Sequence, residues 1–158
     1  MYLKKTYFVS IGSAVFRQSP DIISCKGLGS CVAVCLYDEV KKKGCVIHIL
    51  LPYGEDHAKP FFYANLGIAK ALERCVKFGM RKERMWAKLV GGACVFSNVS
   101  ESSSIGMRNV IESRKWLNFF KIPIIAEDTG GTSGRNLLFD LVTGEIEVFT
   151  FKKGKMKI

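Results

Sequence analysis

The stretch Gly27-Leu28-Gly29-Ser30-Cys31-Val32-Ala33-Val34-Cys35-Leu36-Tyr37 decides the fold, because a glycine turn leads directly into an apolar run. Residues 45–51 form a second apolar run, and a polar connection that ends in Gly44 separates the two. Short apolar runs bounded by turn residues are typical of buried strands. The two runs therefore predict a β-hairpin in the protein core.

The lengths of the two runs predict which residues of this hairpin face each other. A connection over residues 38–41 places Cys31 opposite His48. A shift of one residue would turn His48 to the other face of the sheet, although a bulge could restore the meeting. The count therefore predicts that Cys31 and His48 lie together.

The remaining chain alternates between strand and helix patterns. Apolar residues recur at helical spacing over residues 66–76, before Gly79, and again over residues 106–120. Further strands are predicted at residues 7–11, 21–24, 84–90 and 122–126, and a last hairpin at residues 137–141 and 146–151. Two helices among many strands favour an α/β (α+β) fold, a layered sandwich of mixed, largely antiparallel sheets in a single domain over residues 1–158.

Composition and charge narrow the class of protein. Apolar residues make up 48% of the 158 residues, which is enough for a full core. No apolar run reaches the roughly 20 residues of a membrane helix, so we expect no membrane insertion. The net charge of +10 suggests an anionic partner, but no nucleic-acid-binding motif accompanies it, and we predict no nucleic acid. The basic clusters at residues 41–43, 81–84 and 152–155 are interpreted as solvated turns and a C-terminal tail, or as a contact for an acidic protein.

The six cysteines include no Cys-x-x-Cys pair and do not indicate a disulfide framework. Most of them lie in apolar runs, where free cysteine packs as a small buried residue in a reducing compartment, so a cytoplasmic location is predicted. A zinc site could use Cys25, Cys31, Cys35, Cys45 and His48, but the closely spaced ligand pairs of structural zinc are missing. We therefore predict no metal and no cofactor.

Cys31 and His48 are the candidate catalytic pair. Cysteine catalysis needs a thiolate, and a nearby histidine can take the thiol proton and return it to a leaving amine. Gly27 and Gly29 would let backbone N–H groups near Cys31 face a substrate oxygen as an oxyanion hole. From the residues alone, three alternatives stay open. Cys31 could be a packed core cysteine, the two glycines could form a plain tight turn, and His48 could be a structural histidine. His57, in a polar loop, is interpreted as a solvated surface histidine.

Five motifs occur in an order that resembles one known family. They are Gly27-Leu28-Gly29-Ser30-Cys31-Val32-Ala33-Val34, Ile47-His48-Ile49-Leu50-Leu51-Pro52, Lys88-Leu89-Val90-Gly91-Gly92-Ala93, Ile105-Gly106-Met107-Arg108-Asn109 and Ala126-Glu127-Asp128-Thr129-Gly130-Gly131. This ordered set resembles the chemoreceptor glutamine deamidase family, CheD, across nearly the whole chain. The resemblance implies a protein-glutamine deamidase with Cys31 as nucleophile and His48 as base. The implied substrates are the cytoplasmic helices of chemotaxis receptors, as glutamines and as glutamate methyl esters.

The resemblance also implies a third catalytic residue. The family carries threonine or serine six residues before the nucleophile, where this chain has Cys25, and Ser24 is adjacent. A thiol is a weak hydrogen-bond partner, so Cys25, Ser24 or a backbone carbonyl is predicted to orient His48.

Small residues around the nucleophile are the predicted substrate-binding set. They are Gly29, Ser30, Gly91, Gly92, Gly130 and Gly131. Plain strand-to-loop turns are the equal alternative for the paired glycines. The resemblance also implies an alternative function, a binding partner that stimulates a CheC-type phosphatase of the response regulator.

Overall fold

The chain builds two five-stranded β-sheets and two long α-helices. The computed structural model describes residues 3–96 and 98–158. Its strands are β1 (Thr6–Phe8), β2 (Ala14–Gln18), β3 (Ile22–Leu28), β4 (Val32–Asp38), β5 (Lys43–Ile49), β6 (Met85–Gly91), β7 (Ile124–Thr129), β8 (Arg135–Asp140), β9 (Ile146–Thr150) and β10 (Gly154–Lys157). Its helices are α1 (Ala64–Lys77) and α2 (Ile105–Phe119).

Both sheets are mixed and largely antiparallel. The first sheet has the order β1-β3-β8-β9-β10 and the second has the order β2-β5-β4-β6-β7. Only β1 with β3 and β6 with β7 pair in parallel among these described strands. This arrangement confirms the predicted α+β fold class, including the two main helices and the hairpins β4–β5 and β8–β9.

The second sheet is the middle layer of the fold. One face of it packs against the first sheet, through residues such as Ala33, Cys35 and Val46. The other face packs against α1 and α2, through residues such as Val34 and Ile47. Because β4 is covered on both faces, all of its residues are buried, and residues 32–37 are apolar without a break.

The end of α1 follows from a single glycine. The helix stops at Lys77, and Gly79 has a φ of +94°, a left-handed conformation that glycine adopts without strain. The Met80 N–H then returns to the Cys75 carbonyl at 3.0 Å, which closes the helix end. The predicted stop at Gly79 is confirmed.

Two edge strands, β2 and β10, were not predicted. Residues 152–155 were predicted to lie in a C-terminal tail, and this is wrong because Gly154–Lys157 pairs with β9. The lysines of β10 are exposed, as is typical of edge strands that avoid pairing with other chains. No helix within the described ranges is long and apolar enough to cross a membrane.

Candidate functional site

A short turn between β3 and β4 presents Cys31. β3 ends at Leu28 and β4 begins at Val32, so the strands lie in different sheets and the chain crosses between them within three residues. Gly27, inside β3, has a φ of +71°, a left-handed conformation, at the bulge between Cys25 and Leu28 where the pairing with β8 shifts register. Cys31 lies in the core between the sheets and is 6% exposed.

Three hydrogen bonds from outside hold the carbonyls of this turn. The Ala93 N–H donates to the Gly29 carbonyl at 2.9 Å, and the Gly92 N–H donates to the Cys31 carbonyl at 2.8 Å. Between them, the Asn109 side chain of α2 donates Nδ2–H to the Ser30 carbonyl at 2.9 Å. The turn is therefore fixed by the segment that directly follows β6 and by α2.

His48 lies on β5 and shares a face of the second sheet with Cys31. Its direct partner across the ladder is Ala33, so the predicted register, with Cys31 opposite His48, is wrong by two residues. The reason is that β4 runs to Asp38 and residues 39–42 make the connection. Because side chains alternate with a period of two, this shift keeps both side chains on the same face, as diagonal neighbours.

Cys25 contacts the imidazole from the first sheet. Its Sγ lies 3.4 Å from His48 Nδ1, and both side chains are buried. Ser24 is on the opposite face of β3, where its cross-strand neighbours are the partly exposed Phe8 and Leu138. Of the two candidates for orienting His48, the structure brings only Cys25 to the ring.

The second ring nitrogen of His48, Nε2, is also buried. No described residue forms a hydrogen bond with His48 Nε2, although the atom is buried. Since Nδ1 faces Cys25, Nε2 is the nitrogen left to exchange a proton with Cys31 or a substrate. Catalytic hydrogen bonds are often long before substrate binds and tighten afterwards.

Burial keeps the three groups of the site uncharged. It lowers the pKa of His48 below the ordinary value of 6.5, an effect that the Val9 carbonyl partly offsets. Burial also raises the pKa of Cys31 above 9.0, although the backbone N–H of Cys31 lowers this pKa by a smaller amount. Burial raises the pKa of Cys25 to about 12. At neutral pH the site holds two thiols and a neutral imidazole, so the Cys31 thiol would need a base to act as a nucleophile.

Gly91 and Gly92 face the backbone of the protein itself. Both are buried, with φ values of +118° and +68°. A Cβ atom at Gly91 would collide with the Cys31 carbonyl, and one at Gly92 would collide with Val110 of α2. The two glycines thus let β6 and α2 approach the nucleophile turn closely.

Gly130 and Gly131 form a turn beside this edge. The Gly130 N–H donates to the Gly91 carbonyl at 3.0 Å, and the Gly131 carbonyl accepts from the Cys94 N–H at 2.8 Å. Gly130 is buried, whereas Gly131 is exposed. Gly29 and Ser30 are half-buried, so these two and Gly131 are the accessible members of the predicted substrate-binding set.

Two charged residues that support the site, Arg135 and Glu101, were not predicted from the sequence. Arg135 of β8 pairs with Asp128 at 3.2 Å and donates to the Gly91 carbonyl at 3.3 Å, which ties the two sheets together. Glu101 accepts a hydrogen bond from the Gly131 N–H at 2.9 Å. Asp128 lies inside the motif at residues 126–131, but no spacing in the sequence connects it with Arg135.

The other cysteines are packing residues. All six cysteines are free and buried, which confirms the interpretation of Cys35, Cys45, Cys75 and Cys94 as core side chains. Within the described part of the chain, no three histidine, cysteine or acidic side chains are grouped to hold a metal ion.

Comparison with known proteins agrees with the motif order. A family model described as "CheD chemotactic sensory transduction" matches residues 50–150. A protein of Pyrococcus horikoshii named "Probable chemoreceptor glutamine deamidase CheD" is 40% identical over 153 residues, 94% of each chain. A protein of Thermotoga maritima named "Chemoreceptor glutamine deamidase CheD" is 40% identical over 141 residues, 89% of this chain and 88% of the relative. By sequence similarity over nearly its whole length, the chain belongs to the CheD family.

Proposed function

We propose that this protein deamidates glutamine side chains of chemotaxis receptors through a thioester on Cys31. The observation that carries the proposal is the placement of a turn-borne thiol and an imidazole on one face of the middle sheet, with Nε2 of His48 unpaired among the described residues. The names of the relatives supply the substrate, since both are called chemoreceptor glutamine deamidases. Their similarity covers the segments that build this site.

In the first half-reaction, Cys31 becomes acylated. His48 Nε2 takes the thiol proton while Sγ attacks the carboxamide carbon, and the C=O electron pair moves to the oxygen. The N–H groups of Ser30 and Cys31 stabilise this oxyanion. When the C–N bond breaks, the imidazolium gives its proton to the nitrogen, and ammonia leaves a thioester behind.

In the second half-reaction, water releases the product. Neutral His48 takes a proton from water as its oxygen attacks the thioester carbon, and the C–S bond breaks to return Cys31 as a thiol. The sum is glutamine plus water giving glutamate plus ammonia. A glutamate methyl ester follows the same route with methanol as leaving group.

The surface beside the turn suits a protein substrate. Val95 and Phe96 are exposed apolar side chains, and Val95 lies next to Gly29. Gly29, Ser30 and Gly131 leave room for a helix to approach. The net charge of +10 favours encounter with acidic receptor segments. Action on the cytoplasmic helices of receptors places the protein in the cytoplasm.

Cys25 is proposed to take the role of the family's hydroxyl residue. Its Sγ contact with Nδ1 orients the ring so that Nε2 faces the reaction. A thiol holds an imidazole less firmly than a hydroxyl does. The histidine is therefore only weakly oriented before substrate binds.

The deciding experiment incubates a receptor cytoplasmic fragment with the protein and its Cys31→Ala variant. Mass spectrometry should show a gain of about one dalton per modified glutamine with the wild type only, since acyl transfer needs the thiol. Cys35→Ala is the matched control, because Cys35 is a buried thiol on the same face of β4. Equal deamidation by wild type and Cys31→Ala would refute the proposal.

The alternative function, stimulation of a CheC-type phosphatase, stays a prediction of the resemblance. The same variant separates the two functions, because a binding partner that acts without catalysis keeps its effect after Cys31→Ala. No observation on the described residues favours it over deamidation.

A further inference from the structure

The two peptide units that flank Ser30 are each held from one side. In a trans peptide unit the C=O and the following N–H point in opposite directions. Ala93 binds the Gly29 carbonyl at 2.9 Å, so the Ser30 N–H of that unit points away from Ala93. Asn109 binds the Ser30 carbonyl at 2.9 Å, so the Cys31 N–H points away from Asn109.

These two N–H groups are not taken up by any neighbouring residue that the structure describes. Outside the strand ladders, no described residue accepts a hydrogen bond from Ser30 N–H or Cys31 N–H. Both belong to the turn that carries the nucleophile. An oxyanion hole requires donors of this kind, fixed in direction before the charge develops.

Asn109 is used in this structure as a donor only. The residue is 0% exposed, and Nδ2 also donates to the Leu50 carbonyl at 3.0 Å, just beyond β5. Its Oδ1 is buried and makes no hydrogen bond with any described residue. An unpaired buried acceptor is costly, so the site retains the amide for what its nitrogen binds.

We propose that Asn109 is a positioning residue that orients the Cys31 N–H as an oxyanion donor. Its second hydrogen bond, to the Leu50 carbonyl, holds the Asn109 side chain in place. The proposal rests on the proposed function, since the oxyanion is that of the carboxamide. Asn109 does not touch the substrate and acts through the Ser30–Cys31 peptide unit.

The test compares two reactions of the same thiol. Deamidation passes through an oxyanion, whereas alkylation of Cys31 by iodoacetamide is a displacement at a saturated carbon and needs none. In Asn109→Leu, kcat for deamidation should fall about 10- to 100-fold, with KM little changed. This loss is smaller than that expected for removing an oxyanion donor itself, because the Cys31 N–H is misdirected but still present. The alkylation rate should stay within about threefold of the wild-type rate, because the thiol and His48 are unaltered.

Two further variants keep the test decisive. Asn118→Leu, on the exposed side of α2, is the matched control and should leave both rates unchanged. Asn109→Asp keeps the side-chain size, and its rates decide the question if Asn109→Leu does not fold. Equal losses in both reactions would mean a merely structural role and overturn the proposal, as would an unchanged kcat. A wild-type protein that alkylates at Cys31 but releases no ammonia would instead refute the proposed function, and this inference with it.

Discussion

The turn that carries Cys31 and the imidazole of His48 are held in different ways. Donors from the segment after β6 and from α2 bind three successive carbonyls of the turn, at 2.8 to 2.9 Å. The imidazole has one side-chain hydrogen-bond contact, from Nδ1 to the Cys25 thiol at 3.4 Å, and Nε2 forms no hydrogen bond with any described residue.

The difference matches what each side would have to do in the proposed mechanism. Oxyanion donors contribute most when their directions are set in advance, because no reorganisation is then needed during the reaction. A base that first takes a proton from sulfur and then gives it to nitrogen has to serve two positions. The turn with the proposed oxyanion donors is therefore held firmly, whereas the His48 imidazole, the proposed proton carrier, is held less firmly.

Removing the base should give the largest effect. His48→Gln keeps a polar side chain of similar size that cannot exchange protons, and we expect a loss of about 10³-fold in the rate of ammonia release. His57→Gln, in an exposed loop, is the control and should leave the rate unchanged. A loss below tenfold would assign the base to another group.

Breaking the support of the turn should come next. Gly92→Ala places a methyl group against Val110 and the Gly106 carbonyl, in a left-handed conformation, and should lower the free energy of unfolding by about 3 kcal/mol. Gly154→Ala is a matched control, because Gly154 has a φ of +69° and no atom within 4 Å of an added Cβ. Urea denaturation of both variants measures the difference, and equal destabilisation would show that the contact with α2 is not tight.

The pH dependence separates the two states of the catalytic pair. A neutral thiol and imidazole form the active state, so kcat/KM should fall about tenfold per pH unit below the pKa of His48, which burial holds under 6.5. It should fall again above the pKa of Cys31, which burial holds over 9.0, because the proton for ammonia is then lost. An acidic limb centred above 6.5 would indicate a thiolate–imidazolium pair at rest.

The smallest effect should come from strengthening the weak contact between residue 25 and the His48 imidazole. Cys25→Ser replaces a weak sulfur contact at Nδ1 with a hydroxyl and should raise kcat about threefold, in line with one modest hydrogen bond. Ser24→Ala is the control on the outer face of the same strand and should not change kcat. A rise with Ser24→Ala, or a loss with Cys25→Ser, would contradict the assignment of Cys25.

Local patterns in the sequence predict the middle of this fold better than its edges. The β4–β5 hairpin was predictable because strands covered on both faces contain nearly continuous apolar runs, here residues 32–37 and 45–47. β10 was missed because an exposed edge strand of Gly154, lysines and Met156 looks like a solvated tail.

For the candidate site, the sequence predicts that Cys31 and His48 share one face of the sheet, but it does not predict which residues hold the site in place. Cys31 and His48 share a face under any even shift of register, so the two-residue error did no harm. Asn109 and Arg135 act from distant elements, on backbone carbonyls that any residue possesses. No spacing in the sequence marks such contacts.

Because of the position of β4 in the fold, the candidate site should stay folded for as long as the whole protein does. β4 is paired on both edges and covered on both faces, and opening such a strand requires global rather than local unfolding. Backbone amides of β4 should therefore be the slowest to exchange with deuterium, while those of β1 and β10 at the sheet edges exchange early. Thermal inactivation should coincide with the calorimetric melting of the protein and not precede it.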